Sequence, residues 1–220
     1  ISPHLEKVNE RITINKVPIS DDQFVQYSNM IYPLIEKELN GQNISFFEFI
    51  TLIAFLHFAN EKVDVALIEA GIGGRHDCTN VITPEVSIIT TVSLEHTSIL
   101  GDTIEKIAYE KAGIIKKGKP VVVGVKQKEA LQVIRQTAHE LDAPCYVLGE
   151  DIRIFNVWKT SPQIFDYKFK QEKIEKIPLL MDGIHQVNNA SLAITAAKLF
   201  FPSIEENKIR KSLSKTRWQG

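Results

Sequence analysis

The sequence predicts an α/β protein with a mostly parallel open sheet, flanking helices and a small antiparallel hairpin. Short apolar runs bounded by turn residues alternate with longer segments of helical periodicity, which is the pattern of parallel βαβ units. Nearer the carboxyl end, two segments alternate apolar and polar residues across a Ser161-Pro162 turn. That alternation is typical of an antiparallel hairpin with one exposed face.

Two helices are predicted before the first strand. The first, over residues 20–39, begins with Ser20 as N-cap and an acidic first turn, and its apolar residues recur at helical spacing. Pro33 is expected to kink or split it. The second, over residues 45–60, repeats the apolar pattern and ends at Asn60.

The remaining elements follow the βαβ rhythm. Apolar strands are predicted at 63–70, 86–92, 120–125, 144–148 and 177–181, and the hairpin strands at 152–158 and 163–169. Helices are predicted at 103–117, 127–141 and 186–200, with a last helix capped by Pro202-Ser203 and running to about Lys215.

Composition excludes several function classes. The 26 basic and 27 acidic side chains of the 220 residues leave a net charge of -1, so no overall field favours nucleic acid or an anionic membrane. No basic and apolar leader is visible, and no apolar run reaches the roughly 18 residues that a membrane helix needs. Cys78 and Cys145 lie far apart, which fits a reducing compartment. We expect a cytoplasmic monomer.

Glu69 and His96 are candidate metal ligands, because each follows a predicted parallel strand at its carboxyl end. Ligands gather at that edge of an open sheet. A carboxylate and a neutral imidazole can share a divalent cation. The alternative remains open that Glu69 binds a backbone amide and His96 caps a loop.

Three further features are candidates for ligand contact. Gly71-Ile72-Gly73-Gly74-Arg75 permits close backbone approach with Arg75 as an anion contact, although it is also compatible with a simple strand-to-helix turn. Lys111 lies among small residues of its predicted helix, where an inward ammonium needs a partner; a solvated position is the alternative. His185-Gln186 and Asn188-Asn189 begin the Ala-rich helix, either as caps or as ligand contacts.

Taken together, the motifs are far more specific than any one alone. The chain resembles folylpolyglutamate synthase and the bifunctional dihydrofolate synthase, relatives of the cell-wall Mur ligases. The segments that carry the resemblance, in order, are Ser2-Pro3-His4-Leu5, Asn9-Glu10-Arg11-Ile12, Ser45-Phe46-Phe47-Glu48-Phe49, Ile68-Glu69-Ala70-Gly71-Ile72-Gly73-Gly74-Arg75 with Asp77, Thr79 and Asn80, Leu94-Glu95-His96, Glu110-Lys111-Ala112-Gly113-Ile114-Ile115-Lys116, Gly183-Ile184-His185-Gln186 with Asn189-Ala190, and Arg217-Trp218-Gln219-Gly220.

The resemblance implies an ATP-dependent amide ligase, in which ATP phosphorylates a carboxylate and the amino group of L-glutamate attacks the acyl phosphate. It places Ser2 and Glu69 at the magnesium that serves the nucleotide, and Glu69, His96 and Lys111 around a second magnesium. It also implies a carbamylated Lys111, whose added carboxylate supplies oxygen ligands. The expected substrates are ATP, L-glutamate and dihydropteroate or tetrahydrofolate.

The resemblance also assigns the other site residues. Asn189, with His185 and Gln186 near it, matches the part of the family that contacts the adenine and ribose of ATP. The remaining matches concern the pterin substrate: the resemblance implies that Phe47, Asp77 and Cys78 line its pocket and that Arg75 orients it.

The family carries a glycine-rich phosphate-binding loop before the Ser-Pro-His-Leu motif and a further domain after its Trp-Pro-Gly-Arg region. Here the sequence starts at the first motif, and Gln219 replaces the proline of the last. We therefore expect residues 1–220 to be the central ATPase domain of a larger ligase, inactive alone. Two alternatives stay open: a Mur-type or cyanophycin-type ligase with another substrate, and a degenerate pterin-binding module.

Overall fold

The computed structural model describes residues 3–39 and 42–217 and divides the chain into two units. The first unit is Ile1–Ile72 with Asp77–Val81, and the second is Gly73–His76 with Ile82–Gly220. The division falls inside the glycine-rich segment, so neighbouring residues of that segment belong to different units.

Two capped helices build most of the first unit. Helix α1 spans Asp21–Glu38 after Ser20, whose hydroxyl accepts a hydrogen bond from the Gln23 N–H. Helix α2 spans Phe46–Asn60 and begins with a capping box between Ser45 and Glu48. Both predicted helices are confirmed; of the kink or split predicted at Pro33, the split is wrong, because α1 continues through that residue. A proline removes a single backbone hydrogen bond, and the apolar packing of α1 keeps the helix continuous.

The first unit is completed by short elements around a small core. A 3-10 turn at Val8–Arg11 leads into an antiparallel pair, β1 (Thr13–Ile14) and β2 (Val17–Pro18). A second 3-10 turn spans Cys78–Val81. The buried apolar core consists of Ile12, Ile19, Tyr27, Ile31 and Ile53.

The strand predicted at 63–70 is wrong: these residues belong to no strand of the structure. Val65 is 41% exposed and Leu67 is 93% exposed. An apolar run favours an extended backbone, but a strand also needs a partner with which to form a ladder of hydrogen bonds. The sequence pattern could not show that partner.

A parallel sheet lies at the centre of the second unit. Strands β3 (Ser87–Ile89), β4 (Val121–Val123) and β5 (Cys145–Val147) pair in parallel in that order. The connections carry helices α3 (Thr97–Leu100), α4 (Ile104–Ala112) and α5 (Lys128–Glu140). All three residues of β4 are buried; Val121 and Val123 pack into one core cluster and Val122 into another. The sheet is therefore covered on both faces, as parallel sheets are.

Helix α4 ends at Ala112, whereas the prediction extended it to residue 117. Gly113 follows, and a Cβ atom placed there would lie 2.3 Å from Cβ of Arg75. Arg75 thus occupies the space beside the end of the helix. The short helix α3 was not predicted, since four residues carry no readable periodicity.

The antiparallel part of the second unit is a three-stranded sheet rather than a hairpin. Strands β6 (Ile152–Trp158), β7 (Gln163–Phe169) and β8 (Glu172–Leu179) pair in that order. The strand predicted at 177–181 is therefore the end of β8 and antiparallel. Lys170, with φ 55°, makes the tight turn between β7 and β8.

Two helices complete the second unit. Helix α6 spans Ile184–Phe200, close to the prediction, and packs against the antiparallel sheet. Helix α7 spans Glu206–Leu213 and so begins later than the predicted Pro202-Ser203 cap. None of the described helices combines the length and apolar character needed to cross a membrane.

Candidate active site

Asp77 organises the part of the glycine-rich turn that belongs to the first unit. Its Oδ2 accepts hydrogen bonds from the backbone N–H groups of Gly71 at 2.8 Å and Ile72 at 3.0 Å. Its Oδ1 accepts from the backbone N–H and the hydroxyl of Thr79, at 3.0 and 2.5 Å. Because a carboxylate offers about four lone-pair positions, these four bonds use the acceptor capacity of Asp77 to shape the turn.

Phe47 and Cys78 lie against the same turn. A Cβ atom on Gly71 would be 2.6 Å from Cε1 of Phe47, so only glycine lets the backbone approach the ring this closely. The Cys78 thiol donates to Oγ1 of Thr51 at 3.4 Å, and burial raises the pKa of this thiol. Cys78 is therefore a protonated packing residue at neutral pH rather than a nucleophile. The structure thus brings Phe47, Asp77 and Cys78 together.

Arg75 binds helix α4 within the second unit. Its backbone N–H donates to the Glu110 carbonyl at 2.8 Å, and its Nη2 donates to the Tyr109 carbonyl at 3.2 Å. The guanidinium carbon lies 3.8 Å from the centre of the Tyr109 ring, in a cation–π contact. Arg75 therefore anchors its loop to α4, and its assignment to the substrate stays a prediction.

Lys111 has a charged partner that the sequence did not reveal. Its side chain is 20% exposed, and its Nζ lies 3.0 Å from Oε1 of Glu95. The hydrogen bond from Lys111 is the main cause that lowers the pKa of Glu95. A mostly buried ammonium is stable only with such a partner, so the pair connects α4 to the loop that follows β3.

His96 adopts a strained backbone conformation directly beside this pair. Its φ and ψ are 49° and 37°, in the left-handed region, and it caps α3. A residue other than glycine or asparagine pays roughly 1 kcal/mol or more for that conformation. The His96 carbonyl accepts hydrogen bonds from the N–H groups of Ile99 and Leu100. The turn therefore presents Glu95 and His96 on consecutive residues of one constrained loop.

The predicted metal ligands are divided between the two units. Glu69 belongs to the first unit and His96 and Lys111 to the second, while Ser2 lies outside the described residues. Within residues 3–39 and 42–217, no three His, Cys, Asp or Glu side chains form a group that could hold a metal ion. An ammonium has no lone pair, so Lys111 suits a magnesium site only as a carbamate, whose oxygens are the ligands Mg²⁺ prefers.

The first turn of α6 carries His185, Gln186 and Asn189. His185 and Asn189 are exposed, and Gly183 begins the helix with φ 99°. Gln186 lines an open groove of about 370 Å³ whose other lining residues are Leu180, Met181, Asp182, Thr216 and Arg217. The structure thus brings Gln186, but neither His185 nor Asn189, to this groove.

Sequence reasoning missed three contacts that matter here: Glu95 beside Lys111, Tyr109 beneath Arg75, and Arg217 at the groove. Glu95 could have been named from the sequence, since it precedes His96 in the Leu94-Glu95-His96 motif. No sequence pattern pairs Arg75 with Tyr109, because they are 34 positions apart.

Comparison with known proteins places this geometry in a family. Residues 23–197 match the Mur ligase middle domain. The dihydrofolate synthase/folylpolyglutamate synthase of Bacillus subtilis is 41% identical over 228 residues, covering 100% of this chain and 53% of that protein. The chain therefore spans about half the length of that curated relative.

Solved structures of folylpolyglutamate synthases also match this chain. The folylpolyglutamate synthase of Mycobacterium tuberculosis, in complex with ADP and AMPPCP, superposes with a TM-score of 0.92 at 32% identity, covering 100% of this chain and 52% of that chain. An FPGS structure in complex with AMPPCP and folate gives a TM-score of 0.94 at 34% identity, over 99% of this chain and 55% of that chain. The predicted resemblance and α/β fold are confirmed: this chain belongs to the Mur ligase middle-domain family, and within it is similar to the folylpolyglutamate and dihydrofolate synthases.

Proposed function

We propose that the chain forms part of an ATP-dependent ligase that adds L-glutamate to the carboxylate of dihydropteroate or tetrahydrofolate. The observation that carries the proposal is the 41% identity to the dihydrofolate synthase/folylpolyglutamate synthase of Bacillus subtilis, together with the match of residues 23–197 to the Mur ligase middle domain. It is supported by the mostly buried Lys111 beside Glu95 and by the left-handed backbone of His96, because burial of a charge and backbone strain both cost stability and are typical of functional sites.

The proposed reaction has two steps. A carboxylate oxygen of the pterin substrate attacks the γ-phosphorus of ATP, and ADP leaves with the bridging oxygen. The amino nitrogen of glutamate then attacks the acyl carbon, loses a proton, and expels phosphate as the amide forms. Because the nucleophiles come from the substrates, the protein's task is positioning and charge stabilisation.

The residues of this chain take defined roles in that scheme. Glu69, His96 and a carbamylated Lys111 would hold one magnesium, and Ser2 with Glu69 the magnesium at the nucleotide. Bound magnesium would neutralise the charge that develops on the phosphoryl oxygens. Glu95 pairs with the unmodified Lys111 ammonium, so carbamylation of Lys111 would require that pair to open, because two carboxylate groups repel each other.

The substrate contacts follow the same assignment. Gln186, His185 and Asn189 would contact the adenine and ribose of ATP at the start of α6. Phe47 and Cys78 would line the pterin pocket, with Asp77 holding the turn beside them and Arg75 as an orienting residue. The free thiols of Cys78 and Cys145 and the use of ATP fit a cytoplasmic enzyme, which we propose to be a monomer.

An isotope experiment tests the acyl phosphate directly. Dihydropteroate labelled with ¹⁸O in its carboxylate is incubated with ATP, magnesium and glutamate, using the protein as its gene encodes it. We expect one ¹⁸O atom in inorganic phosphate for each amide formed, and ADP as the other product. Unlabelled phosphate, or AMP in place of ADP, would rule out the proposed reaction. The same protein with glutamate omitted serves as the control.

A further inference from the structure

One carboxylate fixes the loop that carries His4. Glu10 accepts hydrogen bonds from the backbone N–H groups of Leu5 at 2.7 Å, Glu6 at 3.0 Å and Lys7 at 2.7 Å. Three bonds from consecutive residues leave an exposed loop little freedom, because moving any one residue breaks a charge-assisted bond. The Asn-Glu-Arg-Ile segment, which the proposed reaction leaves without a role, thus determines the shape of the neighbouring loop.

Arg11 determines the state of the His4 imidazole. Its Nε donates a hydrogen bond to Nδ1 of His4 at 2.9 Å. A guanidinium nitrogen always carries its hydrogen, so Nδ1 must be the acceptor, and the proton of a neutral imidazole then resides on Nε2. Among the described residues, none is found to accept a bond from that Nε2–H. His4 is half-buried and presents a donor of fixed identity.

Phe46 supplies an exposed aromatic surface near Arg11, the partner of His4. Its side chain is 56% exposed at the first position of α2, and the Arg11 guanidinium lies 5.7 Å from the centre of its ring. The next residue, Phe47, packs on Gly71. These contacts join His4 through Arg11 to the part of the first unit where Phe47 is expected to line the pterin pocket.

We propose that His4 is a substrate-contacting residue, which donates a hydrogen bond from Nε2 to an acceptor atom of a flat ring lying against Phe46, and that Arg11 is the positioning residue that keeps His4 in this tautomer. The inference rests on the proposed function, and it adds a second subsite to the one assigned to Phe47. An exposed aromatic face beside an oriented donor suits a flat heterocycle with hydrogen-bond acceptors.

Three substitutions at His4 test the donor atom. The amide nitrogen of glutamine reaches about as far as Nε2, whereas that of asparagine lies nearer the position of Nδ1. We expect His4→Ala and His4→Asn to raise the Kd for dihydropteroate about tenfold, roughly what one lost hydrogen bond gives, and His4→Gln to keep it within about threefold. The Kd for ATP should not change. Glu6→Gln removes a charge from the same loop and is the matched control.

The role of Arg11 has its own spectroscopic readout. The ¹⁵N chemical shifts of the His4 ring report which nitrogen carries the proton, and we expect Nε2–H in the wild type and a mixture of tautomers in Arg11→Gln. A merely structural role for Arg11 would not change the tautomer of a loop that remains folded. Thermal unfolding of each variant checks that the protein remains folded.

The outcomes separate the inference from the function on which it rests. Tenfold weaker pterin binding by His4→Ala, restored by glutamine, supports the subsite. If the wild type binds dihydropteroate and His4→Ala binds it equally well, or if asparagine restores binding and glutamine does not, the subsite is wrong while the proposed function stands. A wild type that binds ATP but neither dihydropteroate nor tetrahydrofolate overturns both.

Discussion

The two units hold their candidate residues by different means. In the first unit, carboxylates bind backbone N–H groups: Asp77 closes the turn at Gly71, and Glu10 holds the loop at residues 5–7. In the second unit, glycines let backbone pack tightly against α4, and the charged side chains of Lys111 and Glu95 pair with each other.

This difference distinguishes residues that hold the conformation of a loop from residues that are available to bind a ligand. A carboxylate that already accepts three or four hydrogen bonds from its own loop has little capacity left for a ligand, so we assign Asp77 and Glu10 to the shape of their loops. A pair of opposite charges that is only partly buried can exchange its partner for a ligand or a modification at modest cost. The chemical centre is therefore expected at Lys111 and Glu95.

The largest effect on stability is expected from filling the space beside α4. Gly113→Ala would place a methyl group 2.3 Å from Cβ of Arg75, and we expect the free energy of unfolding to fall by about 3 kcal/mol, the upper range for overpacking. Gly118→Ala is the control. It faces open space with φ +69° and should cost about 1 kcal/mol of backbone strain. Equal losses in urea denaturation would contradict the tight docking of Arg75.

Removing the Asp77 carboxylate from the turn at Gly71 should lower the free energy of unfolding somewhat less. Asp77→Asn keeps one carbonyl acceptor but turns an amide N–H₂ toward backbone donors, and we expect a loss of about 2 kcal/mol. Hydrogen exchange should accelerate at the Gly71 and Ile72 amides. The exposed Asp64→Asn provides the control for the lost charge. Unchanged exchange at both amides would show that Asp77 does not hold the turn.

A buried histidine should make the first unit sensitive to pH. His57 is 4% exposed, its Nδ1 has no partner among the described residues, and burial lowers its pKa. A lowered pKa means that the unfolded chain binds the proton more tightly, so stability is full above about pH 6.5 and falls as the pH drops below it. We expect the free energy of unfolding, measured by urea denaturation, to fall as the pH is lowered from 7 to 5.

Replacing His57 isolates its contribution to the pH dependence of stability. His57→Phe should remove this part of the pH dependence, because the aromatic neighbours Tyr27 and Phe58 accept a ring without a titrating nitrogen. His139→Gln, on the exposed side of α5, should leave it unchanged. A His57→Phe profile that still falls between pH 7 and 5 as the wild type does would exclude His57 as the source.

The smallest effect is expected at an exposed ion pair. Lys106 and Asp102 lie 2.8 Å apart, and their side chains are 62% and 78% exposed. Water and salt screen such pairs, so Asp102→Asn should shift the Tm by no more than the error of the measurement. A clear loss that disappears at 1 M salt would show that surface charge contributes more to the second unit than expected.

Local signals predicted the helices well. Ser20 and Ser45 mark the starts of α1 and α2, because N-capping depends on residues close in sequence. The parallel strand β4 was equally visible, since its three valines are buried on both faces. The strand predicted at 63–70 failed because strand formation depends on a partner that periodicity cannot identify.

The site was predictable only in part. His96 was named from its place after a predicted strand and Lys111 from its small neighbours, but the pairing of Lys111 with Glu95 depends on a contact between residues 16 positions apart. Asp77 was expected to face substrate, whereas the structure also gives it four bonds to its own turn. A carboxylate's partner is set by the folded backbone, and residue identity alone does not distinguish a ligand from a neighbouring amide.

The claim that Lys111 lies at the chemical centre is tested most directly by its removal. In the protein as its gene encodes it, Lys111→Ala should lower the rate of ATP-dependent glutamate addition to dihydropteroate by about 100-fold or more, as expected for a lost electrostatic contact. Added acetate or formate should restore part of that rate by supplying the missing oxygen ligand. Lys117→Ala, an exposed neighbour, should retain the wild-type rate. Unchanged turnover in Lys111→Ala would contradict the account.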